Sequence, residues 1–590
     1  MASNFNRNKR HSVNVGVGIL RDPDDDHFTI NQGWDPSQVH MPDNSVIDSL
    51  DFEAVPDNKS DNGPHTFTLP SLPNMFLDTS TLRVMGKAKI VYIHNTDGES
   101  VTLPKQSEED INPWTKGDFY FKKSTLAAVS DELKKNSMKT QPSVFIAKAF
   151  KEKTEPKKDP QGNVIAGETV KSFEADATDS AYIMYSTKRY NKKFAKVAPI
   201  NHFMQSMWKD IEIKMNGTVV TKNANLEYPI RTYLENLLYY GNDAQKTHMS
   251  TEMWDPDIYV DEDNPESWNL KLEGDLTATP KQTPIKSRVT SSENKAFFRR
   301  RARYCNNEEF DFVFSMHTEL NTINSFIYDG VNYQFKFIRN NMDFCLLSAL
   351  PETEGRYVLR LTDFRLRGRY MIPSPKIETA LRNYISKNMA RYATRRNQVF
   401  TNFIPKGSTD FLYPNVFTSD VLPDQILMVM MSAKAKNGDL RENPWYFEHY
   451  NVSKVRLQVN QRTLPTEGLN PNFEKNWFAE TYRELFENLG IGNNNIGIPL
   501  TPLQYKYGST IFAWDLNHDK CAGMHNNHSK MNGIVDLKLT FAKPLPDNVA
   551  VVVMGIYRDY LTLDSERQPN IMSSYGVGAL PKNAFAPAAG

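Results

Sequence analysis

The chain has 590 residues and carries 70 Lys plus Arg against 70 Asp plus Glu, so its formal net charge is zero. That balance excludes a wholesale basic nucleic-acid binder and an acidic tail protein, leaving only local patches to consider. An aromatic content of 11% excludes global disorder, and at about 150 residues per domain the length allows up to four domains or two large β domains.

The three cysteines, Cys305, Cys345 and Cys521, are an odd and scattered set, so no disulfide framework is expected and a reducing compartment is the simpler setting. No apolar stretch of signal-peptide length follows Arg7, Lys9 and Arg10. The longest apolar run, Val549 to Tyr557, falls far short of the roughly 20 residues a membrane helix needs. The expectation is a soluble, non-secreted protein with no transmembrane segment.

In chain order, residues 1–60 are rich in Asn, Asp and Pro and include the acidic run at Asp22, Asp24, Asp25 and Asp26. No period is sustained there, which predicts an extended N-terminal arm. Alternation then begins: Thr81-Leu-Arg-Val-Met-Gly-Lys-Ala-Lys-Ile opens a first strand-rich unit. A Lys- and Pro-rich stretch near Glu152 to Lys171 reads as an insertion. Ile211-Glu-Ile-Lys-Met is a strand closed by the turn pair Asn216-Gly217. Ile230, Tyr233, Leu234, Leu237 and Leu238 share one helical face, with Pro229 at the start and Gly241 at the stop, so a helix is predicted over Pro229–Tyr240. The acidic stretch Asp255–Glu266 is expected to project as a loop, and Phe310-Asp-Phe-Val-Phe is a further strand.

A second unit repeats this pattern. Val358-Leu-Arg-Leu-Thr-Asp-Phe-Arg-Leu reads as its opening strand, equivalent to Thr81–Ile90, and Val455-Arg-Leu-Gln-Val runs into Asn460 as Ile211–Met215 runs into Asn216. A helix over Asn476–Leu489 buries Phe478, Tyr482, Leu485, Phe486 and Leu489 and stops at Gly490. Its end, Leu-Phe-Glu-Asn-Leu-Gly-Ile-Gly-Asn, echoes Leu-Glu-Asn-Leu-Leu-Tyr-Tyr-Gly-Asn of the first helix. Val535-Asp-Leu-Lys-Leu-Thr-Phe alternates, and Val549-Ala-Val-Val-Val-Met reads as a strand buried on both faces. The expected division is an arm at 1–60, a first unit at 61–350, a second at 351–565 and a flexible tail at 566–590.

Few residues are candidates for chemistry. His518, Cys521, His525 and His528 supply zinc-type donors within eleven residues, but their spacing matches no common zinc module and the segment reads first as a polar loop. Asp515, Asn517 and Asp519 open like a calcium loop, yet Lys520 stands where glycine is required and Asn526 where the closing Glu belongs. Gly16-Val-Gly18 and Gly490-Ile-Gly492 lack the strand-to-helix context of a phosphate cradle. No nucleophile-elbow, zincin or phosphate-loop motif occurs, so neither catalytic residues nor cofactors are expected. Two basic clusters, Arg299, Arg300, Arg301 and Arg303, then Arg391, Arg395 and Arg396 on an expected helical stretch, could contact phosphates or neighbouring subunits.

The stretches Asp210-Ile-Glu-Ile-Lys-Met-Asn-Gly-Thr and Tyr228-Pro-Ile-Arg-Thr-Tyr-Leu-Glu-Asn-Leu-Leu-Tyr-Tyr-Gly belong to the first unit. Thr510-Ile-Phe-Ala-Trp-Asp-Leu and Leu537-Lys-Leu-Thr-Phe-Ala-Lys-Pro-Leu-Pro belong to the second. In this order they resemble the hexon-type double jelly-roll major capsid proteins of adintoviruses and polinton-like viruses, over roughly residues 70 to 565. The resemblance implies an all-β chain of two tandem jelly-roll sandwiches. It also implies a homotrimer forming a pseudo-hexagonal capsomer in the icosahedral shell of a double-stranded DNA virus or virus-like element. Neighbouring capsomers, penton and minor capsid proteins would be the partners, with weak contact to packaged DNA, and the virion would be the location. In that setting the arm would run along the shell interior, and removing residues 1–60 would leave trimers but block shells. The competing readings are a jelly-roll carbohydrate-binding or glycan-hydrolysing protein and a minor, penton-type shell protein.

Overall fold

The computed structural model describes residues 17–21, 28–32, 39–40, 46–57, 63–94, 100–101, 119–122, 150–158, 164–175, 182–185, 197–221, 227–257, 259, 295–305, 308–323, 325–348, 355–417, 421–492, 497–517 and 532–572. Its framework is a path of eight strands traced twice. The first path is β1 (Val46–Ala54), β2 (His65–Leu69), β3 (Phe76–His94), β4 (Trp208–Met215), β5 (Thr218–Val219), helix α1 (Tyr228–Tyr239), helix α2 (Lys295–Tyr304), β6 (Phe310–Phe314), β7 (Tyr333–Arg339) and β8 (Gly355–Pro373). After helix α3 (Pro375–Ile385) comes the second path: β9 (Ala390–Ile404), β10 (Asp410–Tyr413), β11 (Gln425–Ser432), β12 (Val452–Val459) and β13 (Arg462–Leu469), then helix α4 (Ala479–Asn488), β14 (Ile511–Asp515), β15 (Val535–Phe541) and β16 (Val549–Leu563).

The sheets make the duplication explicit. In the first path one sheet runs β1-β8-β3-β6 and the other β2-β7-β4-β5. In the second they run β9-β16-β11-β14 and β10-β15-β12-β13, so each strand has a counterpart eight places on. Each path alternates between its two sheets in the same order, which is the jelly-roll connection. The chain is therefore an all-β protein of two tandem jelly rolls with a few short helices. Local chemistry agrees at the tight turns. Asn216 and Gly217 between β4 and β5 have φ of 46° and 83°, and Asn460 and Gln461 between β12 and β13 have 48° and 68°. Two consecutive positive φ values are what a two-residue hairpin turn of the right twist demands.

The core of the first sandwich is aromatic. Trp208 of β4 stacks on Phe364 of β8 with ring centres 5.2 Å apart; Phe337 of β7 packs edge-on against both at 5.0 and 5.6 Å, and Phe67 of β2 packs tilted against Phe364 at 5.1 Å. Phe67, Trp208 and Phe337 are fully buried. Phe364 comes from the opposite sheet, so this cluster joins the two layers. In the second sandwich β16 is buried along nearly its whole length, as its continuous apolar run predicts.

Four expectations are corrected. The strand containing Val358–Leu366 does not open the second unit; it lies antiparallel beside Thr81–Ile90, with Val358 opposite Val91 and Leu359 opposite Ile90. The true counterpart of β3 is β11. The boundary at 350/351 accordingly moves past Pro373, because β8 pairs with both β1 and β3. The 1–60 arm contains β1, an edge strand of the first sandwich, and its strands Val17–Arg21, Phe28–Gln32 and Val39–His40 form a small sheet with Ser325–Phe326. The tail begins as a strand, Pro569–Met572, paired with the end of β16. The helices fall at Tyr228–Tyr239 and Ala479–Asn488, the second starting late because Asn476 holds a left-handed φ of 58°. The described parts of the Glu152–Lys171 insertion lie in two paired antiparallel strands, Phe150–Lys158 and Val164–Ala175, between β3 and β4.

Two outcomes follow from this assignment. Phe364→Ala should destabilise the first sandwich by about 3–5 kcal/mol, read as a lower urea midpoint at unchanged slope. Deleting residues 1–60 should lower stability markedly because it removes β1, whereas deleting 1–45 should leave the thermal midpoint of both sandwiches near that of the full chain. Equal midpoints for the two deletions would contradict the pairing of β1 with β8.

Candidate functional site at the junction of the two sandwiches

Helix α1 sits where the sandwiches meet. Ten of its twelve residues are buried, including Arg231, which is 1% exposed. Such a cation needs partners in place. Arg231 Nε reaches Glu235 Oε1 at 3.0 Å, one helical turn on, and its Nη1 reaches Glu319 Oε1 at 3.0 Å. Glu235 also meets His317 Nδ1 at 2.5 Å and accepts from the Asn397 amide of β9. Burial by itself pushes the Glu235 carboxyl up, but Arg231 and His317 outweigh it and bring it down to about 2. Burial likewise opposes the Arg231 charge, and Glu319 and Glu235 reverse it, so the guanidinium stays protonated.

The second sandwich closes on α1 from two sides. On one side Arg395 of β9 places its guanidinium 4.3 Å over the Tyr239 ring and donates to Tyr239 Oη at 2.6 Å and to Gln425 Oε1 at 3.2 Å. The free edge of β9 is covered by the first sandwich: Thr394 Oγ1 donates to Glu319 O at 2.6 Å, Arg395 N donates to Thr322 Oγ1 at 2.9 Å, and Tyr328 N donates to Tyr392 Oη at 3.1 Å. On the other side Trp445, from the connection between β11 and β12, stacks flat on Tyr233 at 4.2 Å and 2°. Its indole donates to Asn201 O at 2.8 Å. Lys436 meets Glu227 at 2.8 Å nearby.

The first basic cluster lies on α2, and its members diverge. Arg300, 1% exposed, donates to Pro199 O at 2.9 Å and pairs with Asp257 at 2.6 Å; it also donates to Asp255 O. Asp257 in turn accepts from Asn443 of the second sandwich at 2.9 Å and is buried at the junction, while most of the Asp255–Glu266 stretch expected to project lies outside the described residues. Arg301 is buried as well. Arg299, 58% exposed, holds Asp255 at 2.5 Å, and Arg303 stands 5.2 Å from the Tyr304 ring at the surface.

The second cluster is not helical. Arg391, Arg395 and Arg396 lie on β9, whose fifteen residues pair continuously with β16, and the helix expected there is α3, just upstream. A full ladder of strand hydrogen bonds overrides the helix preference of Ala and Arg. Arg396 is buried, pairs with Asp559 at 2.5 Å and lies 4.3 Å over the Tyr557 ring. Burial lowers the pKa of Arg391, which is 8% exposed. His518, Cys521, His525 and His528 lie outside the described residues. Among the described residues no three His, Cys, Asp or Glu side chains gather to hold a metal ion, and no helix is long and apolar enough to cross a membrane.

Sequence reasoning missed the junction network and a second feature. Arg365, Arg367 and Arg369 of β8 pair with Glu53 at 2.8 Å, Asp51 at 3.5 Å and Asp51 at 2.8 Å on the exposed face of the β1–β8 pair. Arginines at every second position of a strand are a legible signal for such a ladder. The Arg231–Glu235 spacing of four was an equally legible one.

No protein-family model matches the chain. Among curated proteins it is similar to the uncharacterised protein F54H12.2 of Caenorhabditis elegans, 24% identical over 386 residues, covering 64% of this chain and 82% of that one. Among solved structures it is similar to a chain of the Sputnik virophage cryo-EM structure, with TM-score 0.46, 10% identity and coverage of 97% and 96% of the two chains. The mavirus major capsid protein gives TM-score 0.42, 10% identity and 92% coverage of both chains. The Faustovirus major capsid protein gives 0.41, 9% identity, and 90% and 92% coverage.

The network sets an acid limit on stability. Burial holds His202 well below its usual range and brings His449 to about 3, so both are neutral when folded and take up protons only on unfolding. A folded pKa below the unfolded one means that stability is lost as pH falls, here from about 6.5 downward for the histidines. Glu235 adds a further loss between about 4.5 and about 2, of order 3 kcal/mol. Glu235→Gln should be less stable at pH 7 and lack that lower limb, checked by urea midpoints from pH 7 to pH 3. An acid limb identical to wild type would rule out this role for Glu235.

Proposed function

We propose that this chain is a major capsid protein. Three copies form a pseudo-hexagonal capsomer, and capsomers tile the icosahedral shell of a double-stranded DNA virus or virus-like element of the adintovirus and polinton-like kind. The observation that carries the reading is the eight-strand path traced twice and locked by one buried joint. A chain that presents two like units in one fixed relation is a ready element for a closed ring of six such units from three chains.

Other features support it. The conspicuous arginines are largely spent on internal ion pairs, at Asp257 and Asp559 among others, so the chemistry at the junction is that of a structural joint. Zero net charge removes the repulsion that keeps monomers apart. The exposed Arg303, and Arg299 through exchange of its exposed pair with Asp255, would meet neighbouring subunits, penton or minor capsid proteins, or make weak contact with packaged DNA. The segment before β1 is the part that would tie capsomers together inside the virion. No catalytic residue or cofactor enters this reading.

The test is the native mass of the full chain by mass photometry, with negative-stain images of the same peak. The expected result is a particle of three times 67.6 kDa with a hexagonal outline. A single-chain mass, together with specific retention on a glycan array, would overturn the reading in favour of a carbohydrate-binding protein.

A further inference from the structure

Helices α1 and α4 occupy the same place in their two paths, yet they differ in what covers them. α1 buries ten of twelve residues, while α4 buries only Thr481, Leu485 and Asn488 of its ten. Its outward side carries Glu480, Arg483 and Glu487, and just before it Trp477 is 65% exposed with Lys475 Nζ 4.7 Å from its ring. Among the described residues Trp477 is the most exposed large apolar side chain.

The strands equivalent to each other show the complementary difference. β9 is sealed by α1 and by the Thr318–Tyr328 stretch of the first sandwich. Its counterpart β1 carries Leu50 at 45% exposure and is followed by Val55 at 63%. The arginines of β8 beside it are 37–49% exposed and hold only exposed carboxylates, pairs weak enough to be exchanged. Within the chain, the sealed junction joins arginine and amide groups of β9 to Tyr239 and Glu235 of α1. The open faces offer the same kinds of partner: Glu480, Glu487 and an indole beside Arg483 on α4, and on β1–β8 aliphatic groups with arginines now held by Asp51, Glu53 and Asp363.

We propose that the α4 face with Trp477 of one copy docks on the β1–β8 face of a second copy of this chain, repeating between chains the junction that α1 and β9 make within one. The inference rests on the shell reading and names the surfaces through which its copies meet. The contact is head-to-tail, so each chain offers one donor and one acceptor face, and equal turns at successive junctions close a ring.

Head-to-tail pairing has a signature that a symmetric contact lacks. A helix-face variant, Trp477→Lys with Glu487→Lys, keeps its β1–β8 face intact. A strand-face variant, Leu50→Asp with Arg367→Glu, keeps its α4 face intact. All four positions are exposed, so the fold should tolerate them. Full-length chains are compared by mass photometry, alone and mixed. The wild type should run as three chains and each variant alone as one chain, at least tenfold weaker in association. The equimolar mixture should run as a two-chain particle, because one good junction remains, and that particle also shows both variants folded. A three-chain wild type with variants that still run as three chains, or whose mixture stays single, overturns this inference and leaves the shell reading standing. A single-chain wild type overturns this inference, and together with retention on a glycan array it overturns the shell reading as well.

Discussion

A helix that carries Arg231 and Glu235 into the interior cannot be held by apolar contact alone. Each ion loses its water, at an effective cost of several kcal/mol, and only close, well-directed partners recover it. Glu235 draws on Arg231 from its own helix, His317 from the same sandwich and Asn397 from the other one. The second sandwich therefore supplies a bond that the first leaves open. That dependence fixes one sandwich against the other, because hydrogen bonds are directional whereas burial of apolar area is not.

The opposite flank of α1 adds area to direction. Trp445 lies flat on Tyr233, and its indole N–H is tied to Asn201 O, so the ring can neither slide nor tip freely. Arg300 extends the same logic to a third place, where Asp257 is shared between the α2 guanidinium and the Asn443 amide. Three anchor points that do not lie along one strand resist both twist and hinge. On the proposed reading as a shell tile such stiffness has a use, since a small angular error at one joint would be repeated at every ring.

Much of this fold was legible in the sequence, and the failures have physical causes. Ile211–Met215, Phe310–Phe314, Val455–Val459 and Val535–Phe541 all lie in strands, because alternation reports a half-buried strand directly. Alternation does not report the partner. Thr81–Ile90 and Val358–Leu366 look alike because they face the same core as neighbours in one sheet, and likeness was mistaken for equivalence. The stretch carrying Arg391, Arg395 and Arg396 read as helical because Ala and Arg favour a helix locally, while the fifteen-pair ladder that decides the matter joins it to Val549–Leu563. The candidate site divides in the same way. The arginines could be named, but Asp559 lies 163 residues from Arg396 and Asp257 lies 43 from Arg300, so their ion pairs were beyond any local pattern.

The placement of the insertions follows from the same constraint. Within the sheet β1-β8-β3-β6 every neighbour is antiparallel, so β3 leaves and β6 enters at the same end of the first sandwich. The two long connections, between β3 and β4 and between α1 and β6, both belong to that end. In the second sandwich the first of these is short, running only from Ala433 to Asn451, and it carries Lys436, Asn443 and Trp445 into the junction. A long insertion there would have to be accommodated against α1, where polar partners and the Trp445 stack already fill the interface. The joint thus limits how far this connection of the second sandwich can grow.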